Sequence, residues 1–436
     1  MIRSHISRLI DRLLGGEARD IVRGMLTLAA GTGMARLVGL ASIPVLTRIY
    51  SPADYGAMSV YAALVGILAP LLTLRYILAV PLPRTDTLAV NVLALSGVLL
   101  ACMTVFVASL LWACKEVVLA WMSMEVLVPW WWLVVLGAAA VAVYEAMSLW
   151  ATRRRAYGVV ARTKVLQSLA GEATKIALGV LGFKPAGLLI GNVVEQSGGI
   201  TSFISRFKGD FGRLAHKVNA ARIRLAARHY RGFPSFRLPS QILLVFSTQA
   251  PAIISAALYG ADATGQFGLA LMALAIPGNL IGQSVSQAFY GEIARLNKGS
   301  EGRIRNLVYA VQKRLFLIGI PVTATLILLG EPIFRIAFGS SWSEAGVFAS
   351  ILAPFVLLQL TSAPLVQVLN VYNQQGAFLL INALRLAGLA GIYLVCNRHG
   401  LEPRHFAYML SAFLFGFYLL ISVYILRLVT KRAMVA

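Results

Sequence analysis

Six basic side chains stand inside stretches that are otherwise apolar: Arg36, Arg75, Arg162, Lys164, Lys175 and Arg385. The carboxylates read in the same stretches are Glu145, Glu172 and Glu195. A charge near the centre of a bilayer costs from about 2.5 to over 10 kcal/mol, so each such residue needs a partner or a wet cavity. The surplus is positive, and an anionic ligand satisfies it where a cationic one does not. Arg36, Arg75, Lys175 and Arg385 lie deepest and are candidate ligand contacts. Three have a plainer reading, while the span of Arg385 has no acid of its own, so its partner must come from elsewhere. Arg36 can pair with a buried Glu, Lys175 can pair with Glu172 one turn away, and Arg75 can snorkel to the headgroups. All five histidines and every aspartate fall outside the apolar stretches. A proton or sodium site therefore has Glu145, Glu172 and Glu195 as its candidate coupling acids.

Polar stripes accompany these charges. Over 159–181, Lys164, Gln167, Ser168, Gly171 and Lys175 share one helical face, with Leu166, Leu169, Ala173 and Val180 opposite. Gln241, Thr248 and Ser255 recur at heptad spacing, and Asn279, Gln283, Ser286 and Tyr290 share a face. Such stripes suit sugar hydroxyls and predict a lined cavity. The alternative is hydrogen bonding between helices.

The elements that must position these residues are membrane spans. The chain has 436 residues, 58% hydrophobic and 13% charged, with a mean hydropathy of +0.77. A soluble domain has about 45–50% apolar and 25% charged residues. A span needs about 20 apolar residues. Spans are predicted at 24–46, 55–80, 88–112, 127–149, 159–181, 186–205, 238–259, 266–290, 314–334, 347–370, 378–396 and 406–426. The expected fold is thus an all-α polytopic membrane protein with about twelve transmembrane helices. Residues 1–23 form an N-terminal segment without the apolar core of a cleaved signal peptide. Residues 24–205 and 238–428 form two helical halves, 206–237 a basic linker, and 429–436 a tail.

The net charge of +22 would suggest nucleic acid on a soluble chain. Here most basic residues fall in alternate loops, nine of them in 206–237 against the single acid Asp210. The positive-inside rule then puts both termini and the linker in the cytoplasm and excludes a nucleic-acid partner. Cys102, Cys114 and Cys396 have no paired spacing, so neither a disulfide framework nor a zinc site is expected.

The halves share a pattern. Pro44 precedes Tyr50, then Asp54 and Tyr55-Gly56; Pro251 precedes Tyr259, then Asp262 and Phe267-Gly268. Each following span has an internal proline, Pro70 or Pro277. Internal symmetry of this kind is common in transporters.

The stretch 43–83, IPVLTRIYSPADYGAMSVYAALVGILAPLLTLRYILAVPLP, resembles the opening of Wzx-type polysaccharide flippases of the MATE/MOP flippase superfamily. Residues 151–179, ATRRRAYGVVARTKVLQSLAGEATKIALG, look like the fifth-helix region of that family. One departure stands out: many relatives carry a Glu shortly after the Arg-Tyr of the second span, where this chain has Arg75-Tyr76-Ile77. The resemblance implies two pseudo-symmetric six-helix bundles around a central cavity with alternating access. It implies an undecaprenyl-diphosphate-linked oligosaccharide as cargo, for O-antigen, capsule or exopolysaccharide. It also implies the bacterial inner membrane as location, with a polysaccharide polymerase and export machinery as partners. Arg36 and Arg385 would then be contacts to the diphosphate or an acidic sugar.

No G-x-x-x-x-G-K-[ST] or H-E-x-x-H motif occurs. Neither enzymatic activity nor a cofactor is expected. The other readings are a cation-coupled multidrug antiporter of the same superfamily, a lipid II flippase, and a membrane glycosyltransferase or polymerase. The predicted external loops are short for that last class.

Overall fold

A computed structural model describes residues 16–278, 301–372 and 374–435, with positions 282, 285, 286, 289, 292 and 293. Among these residues the chain is helical, without strands. The first half contains α1 (Gly16–Ile49), α2 (Pro52–Leu72), α3 (Asp86–Trp121), α4 (Trp131–Arg153), α5 (Tyr157–Val180), α6 (Ala186–Ser197), α7 (Ile200–Ala215) and α8 (Ala220–His229). The second contains α9 (Leu238–Pro277), α10 (Glu301–Phe338), α11 (Ser343–Ser362), α12 (Gln367–Val371), α13 (Gln375–His399) and α14 (Pro403–Val435).

Nine described helical segments are long and apolar enough to cross a membrane. The difference from about twelve has physical causes. The fifth and sixth spans are too polar or too short: α5 carries Arg162, Lys164, Glu172 and Lys175, and α6 has 12 residues. The seventh and eighth run together as α9 and are parted at one residue, Gly260, with φ 73° and ψ −167°. Only glycine adopts that conformation freely. Outward faces are apolar: just 22% of an apolar 18-residue stretch of α3 and 11% of one in α10 are buried. Val105, Trp112 and Val117 of α3 are exposed. That inversion of a soluble core marks a multi-pass membrane protein. The expected span 314–334, inside α10, also holds Arg314 and Glu331, one charge of each sign, so the positive surplus over the expected spans is unchanged.

Local sequence sets the helix ends. Ser51 and Asp54 form a capping box ahead of α2: Asp54 Oδ2 accepts from the Ser51 amide at 2.9 Å, and Ser51 Oγ accepts from the Asp54 amide at 3.3 Å. Pro52 fits the first helical position, where no N–H is needed. The far end departs from the expected span to residue 80. Leu74 and Arg75 are left-handed (φ 45° and 58°), and a 3-10 turn, Tyr76–Ala79, follows. The sixth expected span is also broken, at Gly199 (φ 87°) between α6 and α7. The segment expected as a linker, 206–237, is largely α7, α8 and a π turn, Phe233–Arg237.

The chain packs as two units. The first comprises residues 1–50, 61–118 and 125–242; the second comprises 51–60, 119–124 and 243–436. The first has a core in which Trp150, Phe203 and Phe207 are buried together. In the second, the repeated turns meet. Gly56 faces the Ala261 carbonyl, Gly265 faces the Pro52 carbonyl, and Gly268 faces Ser59. The contacts are reciprocal: Gly56 and Gly265, Pro52 and Ala261, and Ser59 and Gly268 all stand at the same sequence offset as Tyr50 and Tyr259. The register therefore equates Gly56 with Gly265, not with Gly268 as the aromatic-Gly pattern suggested. Missing side chains bring these helices close.

A Cβ at Gly56 or Gly265 would overlap a backbone carbonyl. Gly56→Ala and Gly265→Ala should each destabilise the detergent-solubilised protein by about 1–3 kcal/mol. Gly97→Ala, which meets nothing within 4 Å, should not. Thermal melts followed by size-exclusion chromatography check this.

Candidate functional site

In the first unit the buried charges are organised by α5. Lys175 Nζ donates to Glu172 Oε1 at 2.9 Å and to Glu195 Oε2, on α6, at 2.8 Å. Ser42 of α1 donates to Glu172 Oε2 at 2.6 Å, and Tyr50 Oη donates to the Lys175 carbonyl at 2.7 Å. Gly171 and Gly191 allow this approach, since a Cβ there would strike Glu195 and Lys175 respectively. The result is a chain Ser42–Glu172–Lys175–Glu195 that fastens α1, α5 and α6. With every group ionised it holds one negative charge in excess. Side-chain exposure is 8% for Lys175, 10% for Glu172 and 34% for Glu195. Glu195 is thus the most exposed carboxylate of the cluster.

The polar stripe on α5 does not line a cavity as expected. Gln167, Ser168, Gly171 and Lys175 are buried against neighbouring helices, while Leu166, Leu169 and Val180 are exposed. Ser168 donates to the Ala35 carbonyl at 2.7 Å and Gln167 to the Gln196 carbonyl at 3.2 Å. Small and amide-bearing residues let backbones approach and bond across helices, and that use prevails here.

Arg75 does not reach for headgroups. Its Nη1 lies 3.0 Å from both carboxylate oxygens of Glu145 on α4. The two left-handed residues before Tyr76 aim the guanidinium there; non-glycine residues in that region cost about 1–3 kcal/mol each. Arg75 Nε is buried without a hydrogen-bond partner. Tyr76 Oη donates to the Ala227 carbonyl of α8 at 3.0 Å.

The other cations are placed differently. Arg36, half-buried on α1, is within electrostatic range of Lys164 on α5. Lys164 has no carboxylate partner among the described residues. In the second unit the Arg385 guanidinium lies 5.9 Å from the Tyr418 ring centroid, within cation–π range. Its Nε is buried and unbonded, and no carboxylate among the described residues pairs with it. Tyr418 Oη accepts from Gln359 Nε2 at 3.0 Å, so α11, α13 and α14 converge beside Arg385. Asn382 is buried one turn away.

Sequence spacing missed Ser42, Gln359 and Tyr418. All three reach their partners from other helices, where no local periodicity signals them. Gln241 is half-buried on α9, but the heptad stripe does not form one face. Thr248 is exposed and bonds its own helix, while Ser255 is buried and accepts from Thr264 at 3.2 Å. Asn279 and Gln283 lie outside the described residues. Among those described, no three His, Cys, Asp or Glu side chains converge as metal ligands.

A sequence-family model described as a polysaccharide biosynthesis protein matches residues 45–347. No curated protein is significantly similar in sequence to the chain. Solved transporters share the fold. The lipid II flippase MurJ, in an inward closed conformation, aligns with a TM-score of 0.66 at 14% identity, over 93% of this chain and 87% of its own. An inward-facing multidrug resistance MATE transporter of the MOP superfamily gives 0.62 at 12%, over 94% and 95%. A MOP superfamily transporter from Pyrococcus furiosus, described as having a binding pocket of reverse polarity, gives 0.60 at 13%, over 97% and 98%. At these identities the likeness establishes the fold.

Removing the ammonium from the Glu172–Lys175–Glu195 cluster leaves two carboxylates without it. Lys175→Met should destabilise the purified protein by about 3–5 kcal/mol. Adding Glu195→Gln should restore part of that loss. Thermal unfolding of the single and double variants measures both; a wild-type midpoint for Lys175→Met would contradict the buried cluster.

Proposed function

Because the chain belongs to the polysaccharide biosynthesis family, we propose that it flips undecaprenyl-diphosphate-linked oligosaccharide repeat units across the bacterial inner membrane by alternating access. The cargo would serve O-antigen, capsule or exopolysaccharide assembly, and both termini would be cytoplasmic. It would pass to a polysaccharide polymerase and export machinery, with no chemical step performed by this chain.

One observation carries the reading. Glu145, Glu172 and Glu195 are taken by Arg75 and Lys175, whereas Lys164 and Arg385 have no carboxylate among the described residues. A diphosphate supplies the missing negative charge and several strong acceptor oxygens. A cationic drug would meet these side chains with the three acids already engaged. Arg36, beside Lys164, is the third candidate contact, and the Gln359–Tyr418 pair beside Arg385 suits a sugar hydroxyl. Gln241, Asn279 and Gln283 remain candidates for the same role. Glu195, the most exposed acid of the Lys175 cluster, is the favoured coupling group, ahead of Glu172 and Glu145.

Proteoliposomes carrying a fluorescent polyprenyl-diphosphate oligosaccharide test this. A lost charge-assisted hydrogen bond is worth about 1.5–3 kcal/mol, so Arg36→Ala, Lys164→Met and Arg385→Ala should each slow flipping about tenfold or more. Insertion and thermal midpoint should be retained. Wild-type rates in all three variants would remove these residues from the mechanism.

A further inference from the structure

Helices α7 and α8 carry features that cargo passage does not use. α7 is held to the first unit by aromatic packing: Tyr144 lies against Phe203 and Trp150 against Phe211, each with 5.5 Å between ring centroids. The turn into α8 is pinned by Asn91, whose Nδ2 donates to the Lys217 carbonyl and whose Oδ1 accepts from the Asn219 amide, both at 3.1 Å. Asn219 caps α8 by accepting from the Ala221 amide at 2.8 Å. With Tyr76 bonded to Ala227, the segment is a fixed platform, not a tether.

Its free face is basic and apolar together. Arg222, Arg224, Arg228 and Arg231 are exposed and have no carboxylate partner among the described residues. The one acid between 206 and 237, Asp210, is engaged by Arg154 at 3.0 Å and Arg213 at 2.6 Å. Among these arginines stands Leu225, 60% exposed, and Phe236 is 77% exposed two residues before the membrane helix α9 begins. In water those side chains gain nothing. At the boundary between headgroups and acyl chains they insert, while flanking guanidinium groups meet phosphates.

We propose that the face formed by α8 and the π turn binds anionic phospholipid at the membrane surface. A rigid array of this kind loses little side-chain freedom on binding. Charge selects the lipid, because a zwitterionic headgroup offers the arginines no net negative partner. The surface is independent of the cargo and does not rest on the flippase reading.

Binding of a fluorescent short-chain phosphatidylglycerol to the full-length protein in neutral detergent tests this. Each basic residue near such a surface contributes about 1 kcal/mol, so replacing Arg222, Arg224, Arg228 and Arg231 together by Gln should weaken binding about tenfold or more. Leu225→Ser with Phe236→Ser should also weaken it, with every cation retained. Phosphatidylcholine of the same chain length should bind far less, and inorganic diphosphate in excess should not displace the lipid. Unchanged affinity in both variants, equal binding of the two lipids, or displacement by diphosphate would overturn the proposal.

Discussion

A charge within hydrocarbon must be answered, and that constraint organises the interior of this protein. Each in-span carboxylate read from the sequence is held by a cation: Glu145 by Arg75, and Glu172 and Glu195 by Lys175. The Arg75 pair ties the turn after α2 to α4, and the Lys175 cluster, with Ser42, fastens α1, α5 and α6 around one buried ionic group. The desolvation cost of such a cluster is large, and it is tolerated only where hydrogen bonds complete it, as Ser42 completes Glu172. What the pairs leave over is positive. Lys164 on α5 and Arg385 on the membrane helix α13 have no acid among the described residues, one in each compact unit.

The same constraint explains what was legible in the sequence. Long apolar runs declared most helices, because no other element satisfies its backbone in lipid. The fifth helix was legible only by its place between spans, since its charges lower its hydropathy. Two breaks were not visible at all. The end of α2 depends on two left-handed non-glycine residues, Leu74 and Arg75, which no propensity suggests. Gly260 condenses an expected turn of several residues into one. The low hydropathy of 206–237 predicts a loop, and the structure has helices there. The segment is amphipathic, and helices of that kind hide one apolar face, here Phe207 and Leu214, among basic residues.

For the candidate site, local spacing found the Glu172–Lys175 pair, which are three residues apart on one helix. It did not find Glu195 as the second partner, nor Glu145 as the partner of Arg75, since these contacts are tertiary. The polar face of α5 misled for a specific reason. Gln167 and Ser168 have the chemistry of a sugar-binding stripe, but Gly171 and Gly191 let α6 close over that face. Cavity lining and helix packing draw on the same residue types, and only the neighbouring glycines separate them.

The central claim is that the unanswered positive charge receives a negatively charged lipid. The most direct measurement compares a polyprenyl diphosphate with the uncharged polyprenol of equal length, binding to the full-length protein in neutral nanodiscs. A preference for the diphosphate of at least about tenfold, falling as salt rises, is the predicted result. Equal affinity for the two lipids would contradict it.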